Sequence, residues 1–273
     1  DKYIERMHDA GKIYERLQEL WGIAYYNQCM GEMYFTEYSA EDDYKGNTPR
    51  TKSCFERIKE HYNKAAEIYC KVDNKTGIAY ILKCMGDLID KFKDTYSGEE
   101  QSGYYICKEG AENITYYVIQ DGGKSSENRR GDWKQDAISC YIKSFLYYQG
   151  HINWRGFANV LQAMGTVFRS IEGDNLKTYI HYVEGLYGFA EECYRWLGDM
   201  RGLADTLDYS GYGYEKCRDF TYNYTALSKW MESKMLWEAQ GNGEKVEKIE
   251  KKIEELRAQC NEQGGRDKDG IEN

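Results

Sequence analysis

The side chains that could do chemistry are few and scattered. Gly123-Lys124-Ser125 ends like a phosphate-cradling loop, yet the glycine such a loop needs five residues earlier is Val118, and no strand pattern precedes it. Zinc sites need short paired spacings, because two ligands must leave one turn together. The nine cysteines (Cys29, Cys54, Cys70, Cys84, Cys107, Cys140, Cys193, Cys217 and Cys260) contain no C-x-x-C pair, and His8, His61, His151 and His181 stand far apart. Several cysteines sit beside apolar residues at helical spacing, Cys84 before Met85 and Cys193 before Tyr194. They read as reduced thiols buried as small hydrophobes, with a metal or disulfide framework as the alternative. The neighbouring carboxylates Asp42-Asp43, Glu99-Glu100 and Glu191-Glu192 lie in charged stretches and read as solvated faces, not as acid–base pairs. Arg130-Gly131-Asp132, Tyr212-Gly213-Tyr214 and the sequons at Asn74, Asn113 and Asn223 read as chance matches. The expectation is a protein that is not an enzyme and holds no cofactor and no metal.

Composition narrows the partner. The 273 residues carry 37 Lys plus Arg against 46 Asp plus Glu, a formal charge of −9, with no basic block. A phosphate backbone is therefore a poor partner. No apolar run approaches the roughly 20 residues a membrane helix needs, and Asp1-Lys2-Tyr3-Ile4-Glu5-Arg6 is not a signal peptide. The expectations are no nucleic acid, no membrane and a cytoplasmic location. The chain opens without Met, which suggests a piece cut from a longer protein. One proline among 27 glycines disfavours a loop-rich sandwich and a disordered linker, and leaves helices as the fabric.

The elements that must position any site recur along the chain. A small residue is followed four on by Tyr, eight further by Gly, two later by Ala, and by a second Gly nine after the first. The copies are Ala10, Tyr14, Gly22, Ala24, Gly31; Ala65, Tyr69, Gly77, Ala79, Gly86; Ser144, Tyr148, Gly156, Ala158, Gly165; and Ala190, Tyr194, Gly202, Ala204, Gly211. The residues before each first Gly place apolar side chains at i, i+4 and i+7 of a helix. A short polar turn follows, and the next helix opens at Gly-x-Ala. Its second Gly lies mid-helix, where it costs about 1 kcal/mol relative to Ala. A cost repeated four times implies a repeated benefit: close approach of a neighbouring helix.

These positions resemble the tetratricopeptide repeat family, a superhelix of antiparallel helix pairs. The family's large residue, Leu-Gly and Tyr slots are held by Leu82, Met85, Gly86 and Ile89; by Leu161, Met164, Gly165 and Phe168; and by Leu207, Ser210, Gly211 and Tyr214. The first copy has Asn27 in the large-residue slot. Two features depart from the family: the proline that ends its second helix is missing, and the first glycines stand 55, 79 and 46 residues apart instead of 34. The resemblance implies an all-α fold, an α-solenoid with a C-terminal capping helix. It spans residues 1–240 with inserts at about 37–53 and 94–132, then the cap at 241–262 and a disordered tail at 263–273. Within the second insert, Tyr104 to Ile119 reads as an extra helix and 121–131 as mobile. Val246, Ile249, Ile253, Leu256 and Cys260 fall at heptad spacing. They are read as a cap over the last repeat, with a coiled-coil dimer as the alternative.

The resemblance also implies a concave groove that binds a protein or peptide. Carried over, its lining is Tyr25, Gln28, Glu32 and Phe35; Tyr80, Lys83, Asp87 and Lys91; Asn159, Gln162, Thr166 and Arg169; and Asp205, Asp208, Tyr212 and Lys216. Aromatics, amides and both charges suit the reading of a protein surface; the plain alternative is a solvated groove. The whole is similar to the repeat arms that STAND-type signalling ATPases and repeat-fused effector proteases carry as sensors. The expected role is therefore a non-catalytic interaction arm of a larger intracellular signalling or defence protein, joined to further domains. A self-standing peptide-sensing regulator is the alternative.

Overall fold

Ten helices and no strand make up the described residues of the computed structural model, which are 2–40, 48–95, 133–170, 174–217 and 220–269. They are α1 (Lys2–Leu17), α2 (Leu20–Ala40), α3 (Pro49–Lys71), α4 (Lys75–Lys91), α5 (Trp133–Gly150), α6 (Trp154–Arg169), α7 (Asp174–Leu197), α8 (Met200–Glu215), α9 (Phe220–Ala239) and α10 (Gly243–Asp269). The chain divides into two units, Asp1–Gly156 and Phe157–Asn273. In the first, α1 packs on α2, α2 on α3, α3 on α4 and α4 on α5. In the second, α7 packs on α8, α8 on α9 and α9 on α10.

One turn is used five times. After Tyr14, Tyr69, Tyr148, Tyr194 and Trp237, the fourth residue on has a left-handed backbone: Gln18 (φ 54°), Asp73 (φ 52°), Ile152 (φ 53°), Gly198 (φ 67°) and Gly241 (φ 70°). The next N–H then donates back to the aromatic residue's own carbonyl. Asn74 reaches Tyr69 O at 2.8 Å, Asp199 reaches Tyr194 O at 3.0 Å and Asn242 reaches Trp237 O at 3.0 Å. This closure satisfies carbonyls that the helix end would orphan. The same residue caps the following helix: Asn74, Asn153, Asp199 and Asn242 accept from the N–H groups of Gly77, Gly156, Gly202 and Lys245 at 2.9–3.2 Å. Glu19 takes this role for Gly22. The absence of proline from these turns follows, because each uses N–H groups that proline lacks.

The helices meet through aromatic rings laid on glycines. A Cβ added at the first glycine of each copy would lie within 3.0 Å of the preceding helix's tyrosine: Tyr14 at Gly22, Tyr69 at Gly77, Tyr148 at Gly156 and Tyr194 at Gly202. The second glycine receives a ring from the following helix: Tyr62 on Gly31, Tyr141 on Gly86, Tyr187 on Gly165 and Trp230 on Gly211. These four rings stand seven residues before Tyr69, Tyr148, Tyr194 and Trp237, two helical turns earlier on one face. Sequence reading missed this slot, although the spacing was legible. Each is almost wholly buried, and burying such a ring contributes roughly 2–3 kcal/mol. That exceeds the helix-propensity cost of about 1 kcal/mol for the glycine beneath it, so ring packing decides the residue. The small slot has its own contact. Ser144 and Ser233 donate from Oγ to the carbonyls of Ala79 and Ala204 at 2.6 and 2.8 Å, which explains the serine exchange.

Several segment boundaries differ from expectation. The loop read over 37–53 is narrower, because α2 continues to Ala40 and α3 begins at Pro49. The proline sits in the first turn behind the Thr48–Thr51 capping box, where its missing N–H costs nothing. Of the second insert, residues 96–132 lie outside the described residues, including the helix expected at 104–119 and the stretch 121–131. The expected cap end at 262 is passed: α10 runs to Asp269, with no proline to remove a ladder N–H. Its Ile249, Ile253 and Leu256 pack with Trp230 and Trp237 into one buried cluster, joined by Val246 and Cys260.

Candidate functional site

Each unit holds half of the expected groove lining. In the first unit, α2 carries Tyr25, Gln28 and Glu32 at i, i+3 and i+7, and α4 carries Tyr80, Lys83 and Asp87 at the same spacing, so each trio shares a helix face. Gln28 Nε2 donates to Glu32 Oε1 at 3.0 Å, and the Tyr69 hydroxyl donates to Gln28 Oε1 at 2.8 Å. Tyr80 hydrogen-bonds to Glu32, which brings α4 to α2; burial, then nearby Cys84 and Glu32, raises its phenol pKa. Asp87 accepts from Lys83 Nζ at 2.5 Å and from the Tyr141 hydroxyl at 2.9 Å. Burial alone would lower the Lys83 pKa, but the Asp87 carboxylate raises it on balance, so the ammonium stays charged.

Tyr25 is the exposed member of this face. It is 56 % exposed, and Trp21, one turn earlier on the same face, is 54 % exposed. Ile13, Leu17 and Leu20 add apolar surface from α1 and the start of α2. Trp21 was missed because the carried-over pattern begins six residues before the second glycine, although Trp21 and Tyr25 stand at i, i+4.

In the second unit, α6 contributes Asn159, Gln162, Thr166 and Arg169. Asn159 accepts from the Tyr194 hydroxyl, Thr166 pairs with the Tyr187 hydroxyl at 3.2 Å, and Gln162 is half-buried. The Arg169 guanidinium stands 5.3 Å from the Tyr212 ring centre and 5.5 Å from that of Tyr209, within cation–π range. Lys216 donates to the Arg169 carbonyl at 3.3 Å.

On α8 the expected lining meets α10. Lys245 Nζ lies 3.1 Å from Asp205 Oδ1, and Lys252 Nζ lies 2.7 Å from Asp208 Oδ1. The same Lys252 ammonium is 3.7 Å from the Tyr212 ring centre. Asp205, Asp208 and Tyr212 are therefore engaged within the chain, and Asp208 is itself buried. Of the aromatic residues in the expected lining, Tyr25 is the exposed one, while Phe35, Tyr80 and Tyr212 are half-buried.

The other chemistry-bearing groups are accounted for. Burial pushes the Cys84 and Cys140 thiols up to about 12, so they stay protonated. The eight described cysteines are free thiols. The carboxylate pair Glu191-Glu192 is split: Glu191 is buried against Lys229 at 2.6 Å, while Glu192 faces solvent. Burial raises the Glu191 pKa, and the Lys229 ammonium partly offsets the rise. Among the described residues no group of three or more His, Cys, Asp or Glu could hold a metal ion, and no helix is long and apolar enough to cross a membrane. Of the sequons, Asn74 is a helix cap and Asn223 is buried. No protein-family model matches the chain, and no curated protein matches it.

Proposed function

We propose that this chain is a non-catalytic protein- or peptide-binding module, built as an α-solenoid of the tetratricopeptide-like kind whose C-terminal helix closes the array. In this reading α2 and α4 carry the recognition positions of the first unit, and α6 and α8 those of the second. The module serves as the sensor or interaction arm of a larger signalling or defence protein in the cytoplasm. The observation that supports it most is the exposed pair Trp21 and Tyr25 on α2, in line with Gln28 and Glu32 and flanked by Leu17 and Leu20. Tryptophan and tyrosine dominate interface energetics, and here two of them face solvent on one helix.

The five internal turns and the ring-on-glycine contacts support a stack of like helix pairs. Such a stack uses its extended surface for recognition. The test is affinity capture from the source organism with the wild-type chain and with Trp21→Ala/Tyr25→Ala, followed by mass spectrometry. A partner retained by the wild type and lost by a normally folded variant supports the assignment. A partner retained equally by both removes α2 from the binding surface.

A further inference from the structure

The two glycines of α7 lack the ring contact that nine other helix glycines make; Gly213 of α8 meets the Val183 side chain at 3.1 Å instead. Gly11, Gly22, Gly31, Gly77, Gly86, Gly156, Gly165, Gly202 and Gly211 all have an aromatic ring within 3.0 Å of where a Cβ would stand. Gly185 and Gly188, in the middle of the 24-residue α7, have nothing within 4 Å. Each costs the helix about 1 kcal/mol relative to Ala, with no contact among the described residues to offset it. The face that carries Gly185 also carries exposed rings: Phe189 is 67 % and Trp196 73 % exposed, at i+4 and i+11.

We propose that this face binds a second copy of the chain, with α7 of the two copies packed antiparallel about a two-fold axis. A helix face holding both the hole and the knob is self-complementary, which an isologous contact requires. An axis midway between 185 and 189 sets Phe189 of each copy over the other copy's Gly185. It repeats between chains the contact that joins helices within one.

The available area supports a stable dimer. At about 150–250 Å² per aromatic side chain, the exposed parts of Tyr182, Phe189 and Trp196 supply roughly 400 Å². Helix α9 lies beside α7 through Lys229–Glu191 and Arg195–Glu232. Glu232 also lines an open apolar groove with Tyr224, Met231 and Met235, whose side chains are exposed. With those, the outer face reaches roughly 700 Å², against the roughly 800 Å² per partner of a standard interface.

The experiment is sedimentation velocity on the full 273-residue chain over a micromolar concentration series, with circular dichroism on each sample. The wild type is expected to be a dimer, and Phe189→Glu/Trp196→Glu to weaken self-association by at least about 100-fold with an unchanged helical spectrum. Gly185→Ala/Gly188→Ala fills the holes while favouring the helix, so it too is expected to weaken association while folding normally. A wild type that is monomeric throughout overturns the proposal, as does a dimer that neither variant weakens. A wild type that stays monomeric while this face takes up another protein also overturns it.

Discussion

Replacing Gly86 with alanine tests the packing rule where its terms can be separated. The new Cβ would stand 2.5 Å from Cε1 of Tyr141, and the ring's Cζ and Cδ1 lie within 2.8 Å. The ring cannot swing away cheaply, because Tyr141 is 1 % exposed and its hydroxyl is held by Asp87. Forcing a methyl into such a site costs about 1–3 kcal/mol, and complete burial argues for the upper end. The helix gains about 1 kcal/mol from losing a glycine, so the net loss is about 2 kcal/mol. For a protein of this size that lowers Tm by about 4–8 °C. Thermal unfolding by circular dichroism reads the loss directly. Pairing the change with Tyr141→Leu makes room for the methyl, so a double-mutant cycle should return a coupling of about 0.5–3 kcal/mol. A Gly86→Ala chain as stable as wild type, or a cycle with no coupling, would refute the claim that ring contact selects the glycine.

Further tests address the turns, the charges and the titrating groups. Ile152 is β-branched, exposed and left-handed at φ 53°, so Ile152→Gly should stabilise by about 1 kcal/mol, read as a rise in Tm. Lys252→Met leaves the Asp208 carboxylate buried without its cation and should cost roughly 3 kcal/mol, measured by urea unfolding. His61 has its pKa held below the usual 6.5 by burial, then by Lys64 and Arg57, with Glu60 acting the other way. The folded chain therefore takes up this proton less readily than the unfolded one. Stability should be full above about pH 6.5 and fall as the pH drops below it, and His61→Gln should flatten that limb in a pH series of Tm values. If the wild-type curve is already flat there, His61 contributes nothing to it.

Much of the helix-to-helix plan is legible in sequence because it is local. Tyr69, the turn and Gly77 lie within nine residues, and one backbone closure joins them. Four copies of that spacing mark where helices end and begin, and the missing proline marks N–H groups in use. The ring that fills each second glycine was also written in the chain, seven residues before the tyrosine, but no single turn advertises it. It contacts a helix 19 to 55 residues away in sequence, for example Trp230 on Gly211 and Tyr141 on Gly86, and such pairs are recognised only after the chain folds.

Side-chain accessibility belonged to tertiary structure alone. Gln28 and Asp87 look like open groove residues in sequence, yet Tyr69 and Tyr141 reach them from the neighbouring helices. Asp205, Asp208 and Tyr212 look equally open until α10, some forty residues on, lays Lys245 and Lys252 against them. Tyr25 and Trp21 differ from them in staying more than half exposed. Helix periodicity states which face a residue shares; which faces meet, and which stay in water, is decided by burial summed over distant segments. The amino-acid sequence by itself determined the helices, their turns and their recurrence, because hydrogen bonds a few residues apart specify them. Only the folded chain decided which of the repeated positions are spent on packing and which remain exposed.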